Sequence, residues 1–166
     1  MTISDQELEI LAHSLGDALL ISGARVTCAE SCTGGWVSKV LTDVPGSSAW
    51  FGWGFVTYSN AAKQGVLNLS EDILSKHGAV SESAVVSMAK KALDKAGAEF
   101  SVAVSGVAGP DGGTEDKPVG TVWFAWIGPQ TIRAECCHFD GNRESVRRKS
   151  VARALEGLLV ILEQDA

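Results

Sequence analysis

The sequence predicts an α/β fold: a three-layer α/β/α sandwich around a mixed, mostly parallel sheet of about five strands, as a single domain over residues 1–166. Three observations point there. Short β-branched and apolar runs alternate along the chain with stretches of helical periodicity. Two glycine-rich loops each follow a strand, the arrangement of ligand loops at the carboxyl ends of strands in open α/β sheets. The composition, 45% hydrophobic and 20% charged over 166 residues, suits one well-filled core, with no repeat, low-complexity tract or linker.

The elements follow in order. Ser4-Asp5-Gln6-Glu7 is a capping box, and Leu8, Leu11, Ala12, Leu15 and Leu19 share one helical face that Gly23 ends. Val26 and Thr27 open a strand, "ESCTGG" (30–35) makes a tight turn, and Trp36, Val37, Val40 and Leu41 resume helical spacing. After the Pro45-Gly46-Ser47-Ser48 turn, residues 49–58 read as a strand, and a short helix carrying Lys63 follows Ser59-Asn60. Ser70 and Ser81 precede acidic residues and helices over 71–77 and 82–95. "FSVAVS" (100–105) is a buried-type strand that runs into the glycine-rich loop 106–120. Strands over 121–127 and 131–139 join at Gly128-Pro129, and a last helix begins near Asn142 and buries Val151, Leu155, Leu158, Leu159 and Leu162.

A net charge of −6 argues against a general nucleic-acid or membrane-surface binder, so an anionic ligand has to be met by local cations. No apolar run approaches the roughly 20 residues of a membrane span and no leader pattern is seen, which predicts a cytoplasmic protein. Cys28, Cys32, Cys136 and Cys137 lack the spacing of a zinc or redox site and read as reduced, structural thiols.

The chemistry concentrates in the turn around Ser31. A strand-to-helix turn of small hydroxyl residues and glycines aims free N–H groups at what lies above it, suiting an anion site or an oxyanion hole. The loop 106–120 has no G-K-[ST] ending, Gly52-Trp53-Gly54 is no dinucleotide fingerprint, and Ser31 is not in G-x-S-x-G. His13, His77 and His138 all fall outside loops that look like a site, so a serine nucleophile would need another base. Lysine serves when desolvated. Ser87-x-x-Lys90 lies inside an amphipathic helix and reads as chance; Lys63, one turn past the strand ending in Tyr58, is the better candidate. The competing reading there is a packed ring and a solvated amine. Cys32 is an alternative nucleophile.

Together "AESCTGG" (29–35), "YSNAAK" (58–63), "VSGVAGPDGGTEDKPVGTVWFA" (104–125) and "FDGNRESVR" (139–147) resemble the CinA carboxy-terminal domain family, in order and over nearly the whole chain. The larger members carry a further amino-terminal domain that these 166 residues lack, so the expectation is the stand-alone amidase type. The resemblance implies hydrolysis of the carboxamide of nicotinamide mononucleotide to the nicotinic acid mononucleotide and ammonia, with no metal and no cofactor. It implies Ser31 as nucleophile and roles for Lys63 and Tyr58: Lys63 as base, directly or with Tyr58 relaying the proton. The amides of Thr33, Gly34 and Gly35 are then expected to form the oxyanion hole. Ser105, Gly106, Gly109, Gly112, Gly113 and Thr114 are expected to cradle the phosphate and ribose with Arg143, whose guanidinium pairs phosphate through two hydrogen bonds. Asp111 adds negative charge beside that loop. Arg147, Arg148, Lys149 and Arg153 read as a solvated helix face. The tryptophans suit a core or an interface, and with the resemblance they suggest a homodimer. A nucleotide-binding regulatory module without turnover is the alternative reading, and a role in DNA uptake, named by the family alone, conflicts with the acidic charge.

Overall fold

The computed structural model describes residues 2–166. Helix α1 (Asp5–Ser22) opens on the expected capping box, with the Ser4 hydroxyl accepting the Glu7 N–H and the Glu7 carboxylate accepting the Ser4 N–H. It stops at Gly23, whose left-handed backbone (φ 65°) returns its N–H to the last carbonyls. Strand β1 (Val26–Glu30) is buried on both faces. Helix α2 (Trp36–Thr42) leads through a 3-10 turn (Ser47–Ala49) to β2 (Phe51–Val56), which is shorter at both ends than the 49–58 run suggested. Helices α3 (Asn60–Leu67), α4 (Glu71–His77) and α5 (Glu82–Ala96) each start on a serine cap, Ser59, Ser70 and Ser81. Strands β3 (Phe100–Gly106), β4 (Thr121–Ile127) and β5 (Ile132–His138) precede α6 (Arg143–Gln164), capped by Asn142.

The sheet order is β2-β1-β3-β4-β5. Strand β1 lies parallel to both β2 and β3, while β4 is antiparallel to β3 and to β5. The sheet is therefore parallel in one half and antiparallel in the other. Helices α1, α2 and α6 cover one face, over a core that includes Val26, Val102, Val104, Phe124 and Trp126. Helices α3, α4 and α5 cover the other, over Ala29, Phe55, Ala103, Ala125 and Ile127. The period-two alternation of strand side chains produces both layers: Val104 and Ala103 are neighbours in sequence and lie in different cores. Trp126 is fully buried, and its indole N–H donates to the Ala154 carbonyl of α6 at 2.9 Å. Gly157 permits that approach, since a Cβ there would collide with the indole ring. No helix among the described residues is long and apolar enough to cross a membrane.

This topology selects one edge of the molecule for chemistry. The chain leaves β1 for β2 on one side and then crosses to β3 on the other, so the carboxyl end of β1 is a switch point where the flanking crossovers separate. Ser31 is the next residue.

Candidate active site

The pairing of β1 continues past its last residue. Ser31 N–H donates to the Val104 carbonyl at 3.0 Å, and Thr57 N–H donates to the Glu30 carbonyl at 2.8 Å. These bonds hold Ser31 between the ends of β2 and β3. The chain then turns through Gly34 (φ 60°) and Gly35 (φ 97°), left-handed conformations that side chains strain. The helix that follows has no side-chain cap of its own at Gly35. Glu30 supplies one from the strand: its buried carboxylate accepts the N–H groups of Gly35, Val37 and Ser38 and the Ser38 hydroxyl, at 2.8 to 3.0 Å. An anion thus sits at the amino end of α2, where unpaired N–H groups and the helix dipole favour it.

Lys63 arrives from α3. The Ser59 cap starts that helix at the right point, and Lys63, one turn in, points back beneath Ser31 with 1% of its surface exposed. Its Nζ donates to Ser31 Oγ at 2.9 Å, to the Thr57 carbonyl at 2.9 Å and to the Tyr58 carbonyl at 3.1 Å. Among the described residues no carboxylate pairs with it. Burial pushes the Lys63 ammonium below the ordinary lysine range, opposed only by the charge that Cys32 would carry if ionised. Burial pushes the Cys32 thiol up to about 12, so it is neutral near pH 7 and a poor nucleophile.

Ser31, Cys32 and Tyr58 line a cleft of about 260 Å³ together with Gly106, Gly109, Asp111, Gly112 and Arg143. Arg143 bridges two of these segments, with Nη1 donating to the Gly109 carbonyl at 2.7 Å and Nη2 to the Tyr58 hydroxyl at 3.0 Å. A larger cavity of about 480 Å³ lies at the opposite end of the sheet, among Ile21, Phe100, Pro129 and Leu162. It holds none of the sequence-predicted site residues, and its lining is mainly apolar, without a nucleophile and base in contact.

Several expectations about individual residues change. Tyr58 reaches Lys63 through its main-chain carbonyl; the residue is 58% exposed and its hydroxyl is bonded to Arg143, so the Ser31–Lys63 contact is direct, with no relay between them. The Gly34 N–H donates to the Ser31 carbonyl and the Gly35 N–H to Glu30, which commits both within the turn. Among the described residues the amides of Cys32 and Thr33 have no protein acceptor. Ser105 is buried on the same face of β3 as Ser101, whose hydroxyl bonds to α5, and so lies outside the cleft. Thr114 closes a turn on Lys117, bonding it through both its hydroxyl and its N–H, and Gly113 packs against Val119; neither lines the cleft.

The basic face of α6 is not simply solvated either. Arg147 donates to the Cys32 and Thr33 carbonyls, Arg148 pairs with Asp5 and Glu144, Arg153 pairs with Glu135, and Lys149 bonds the Asp140 carbonyl. Glu30 and Arg147 are the two site residues that sequence reasoning missed. Each left a faint signal: Glu30 is a carboxylate in a buried strand before a helix with no hydroxyl cap, and Arg147 follows Arg143 at the spacing that shares a helix face.

With that geometry in view, the likenesses to known proteins are specific. The CinA C-terminal domain family matches residues 8–162. The chain is 55% identical to the nicotinamide-nucleotide amidohydrolase PncC of Escherichia coli (strain K12), over 94% of this chain and 95% of that protein. It is 54% identical to the protein of the same name from Pseudomonas putida, over 90% and 93% respectively. The crystal structure of the competence damage-inducible protein A (ComA) from Klebsiella pneumoniae superposes with a TM-score of 0.91 at 40% identity, covering 94% of this chain and 97% of that one.

Proposed function

The chain belongs to the CinA C-terminal domain family, and from that premise we propose that it hydrolyses the carboxamide of nicotinamide mononucleotide, with Ser31 as nucleophile and Lys63 as its base. The observation that carries the reading is a buried lysine, without a counter-ion, 2.9 Å from a serine hydroxyl at the carboxyl end of a central strand. A neutral amine has two N–H groups and one lone pair. The Thr57 and Tyr58 carbonyls occupy the two N–H groups, which leaves the lone pair for the Ser31 proton.

The chemistry follows from these positions. Ser31 Oγ attacks the carboxamide carbon while its proton passes to Lys63, and the carbonyl oxygen becomes an oxyanion held by the free amides of Cys32 and Thr33. When the C–N bond breaks, Lys63 gives the proton to the departing nitrogen and ammonia leaves, with the acyl group esterified on Ser31. A water then attacks the ester, Lys63 takes its proton, and the returning Ser31 alkoxide recovers it as the nicotinate product separates. The Gly106–Gly112 segment and Arg143 line the same cleft as Ser31. Arg143 would exchange its bonds to Gly109 and Tyr58 for the substrate phosphate, an exchange that suits guanidinium.

Ammonia release from nicotinamide mononucleotide, in the presence of a chelator, tests the assignment. Native protein should turn over and Ser31→Ala should lose at least about 10⁴-fold. Chelator-sensitive turnover would remove the metal-free mechanism. Binding of the mononucleotide without turnover by well-folded native protein would favour a regulatory nucleotide-binding module.

A further inference from the structure

Arg147, on α6, donates from Nε to the Cys32 carbonyl and from Nη2 to the Thr33 carbonyl, each at 3.0 Å. Its guanidinium carbon lies 5.4 Å from the centre of the Trp36 ring. Among the described residues it has no carboxylate partner. Gly34 gives it room, since a Cβ there would stand 3.3 Å from Nη2. A guanidinium with no carboxylate, whose hydrogen bonds all go to two consecutive main-chain carbonyls beside the nucleophile, is an unusual use of a charge.

Peptide planarity says what those bonds do. In a trans peptide the C=O and the following N–H point in opposite directions. Holding the Cys32 carbonyl on the α6 side therefore turns the Thr33 N–H away from α6. Holding the Thr33 carbonyl orients the Gly34 N–H, which bonds to the Ser31 carbonyl at 3.0 Å. That bond in turn sets the plane of the Ser31–Cys32 peptide and hence the direction of the Cys32 N–H. The Thr33 carbonyl also accepts the Trp36 N–H at 3.1 Å, whereas Arg147 is the one partner of the Cys32 carbonyl among the described residues, so the planar fork acts on both amides that the turn leaves free, while Glu30 holds the N–H groups of Gly35, Val37 and Ser38.

We propose that Arg147 is the positioning residue of the oxyanion site, orienting the Cys32 and Thr33 amides through their carbonyl partners. The inference rests on the amidase reading. Arginine suits the role because its donors sit at fixed spacing in one plane and its charge persists at every working pH; lysine offers one point donor. The charge also polarises the two held peptides, strengthening the N–H donors on their far sides.

The test compares wild type, Arg147→Met and Arg147→Lys on nicotinamide mononucleotide and on the analogue whose carboxamide is replaced by an aldehyde. Ser31 Oγ–H adds across the aldehyde C=O, so the adduct carries its oxygen where the oxyanion forms. Arg147→Met is expected to lower kcat about 10²-fold with KM within about twofold, and to weaken inhibition by the aldehyde by a similar factor. Arg147→Lys, which keeps the charge without the planar fork, should fall between. Unchanged kcat in both variants would overturn the inference, as would parallel losses in KM, aldehyde inhibition and thermal midpoint, the behaviour of a merely structural residue. A wild type that releases no ammonia would remove the amidase reading itself and this inference with it.

Discussion

Two regions of this molecule place long charged side chains beside the sheet, and they treat the charge in opposite ways. In the antiparallel half, Arg153 of α6 and Arg133 of β5 both grip the Glu135 carboxylate, at 2.6 and 2.8 Å, and both guanidiniums lie over the Trp126 ring. In the parallel half, Lys63 is buried more deeply and meets a serine hydroxyl and two carbonyls. The Arg153 bond holds the Glu135 carboxyl down at about 2, so the pair stays ionised and serves structure. Desolvation without a counter-ion lowers the Lys63 pKa, which shifts the amine toward its neutral form, the form the proposed base needs. Pairing holds a group in its charged form, and burial without a partner shifts it toward the neutral one.

The largest effect expected from this contrast is the loss of the unpaired amine. Lys63→Met should lower kcat for ammonia release by about 10⁴-fold, the upper range for a general base. It should also keep a cooperative melt, because an apolar chain of similar length replaces a buried group. The titration has a definite sign. Between the lowered native pKa of Lys63 and the ordinary 10.5 the unfolded chain binds the extra proton, so stability from this residue rises with pH across that window. Lys63→Met should flatten that rise, which thermal melts at several pH values will measure.

Supplying the missing partner should blur the comparison. Cys32 neighbours Lys63 closely enough that a negative charge on it would raise the lysine pKa. Cys32→Asp should move the alkaline-going limb of the kcat profile upward by about one unit or more, since an ion pair favours the ammonium. An unmoved limb would mean that the limb does not report Lys63.

The smallest effect belongs to the paired region. Glu135→Gln should lower the thermal midpoint at pH 7 by about 2–4 °C, the change that about 1 kcal/mol makes in a chain of this size once solvent screening is allowed for. Turnover should be unaffected. In the native protein the contribution of Glu135 is present above its ordinary 4.5 and disappears as pH falls through about 2. The variant should therefore show a shallower acid limb in its melts.

Much of this was legible in the sequence because the signals are local. Helix starts at Ser4, Ser59, Ser70, Ser81 and Asn142 were written in hydroxyl and amide caps, and the stop at Gly23 in a left-handed glycine. The overreach at the start of β2 has a local cause too: residues 47–49 close a 3-10 turn before the strand can start. Ser31 and Lys63 were legible as candidates because a strand-to-helix turn and a strand-end lysine are one-dimensional features.

By itself, then, the sequence determined the element order, the two helix layers, the turn that carries Ser31 and the lysine able to serve it. Only the tertiary structure decided that Lys63 lacks a counter-ion, that the Tyr58 phenol goes to Arg143, that Ser105 is buried outside the cleft, and that Glu30 and Arg147 both hold the turn. The reason is physical. Caps and periodicity act within a few residues, whereas charge state and amide direction depend on what the fold brings within 3 Å from far along the chain, and Arg147 stands 115 residues from the carbonyl it holds.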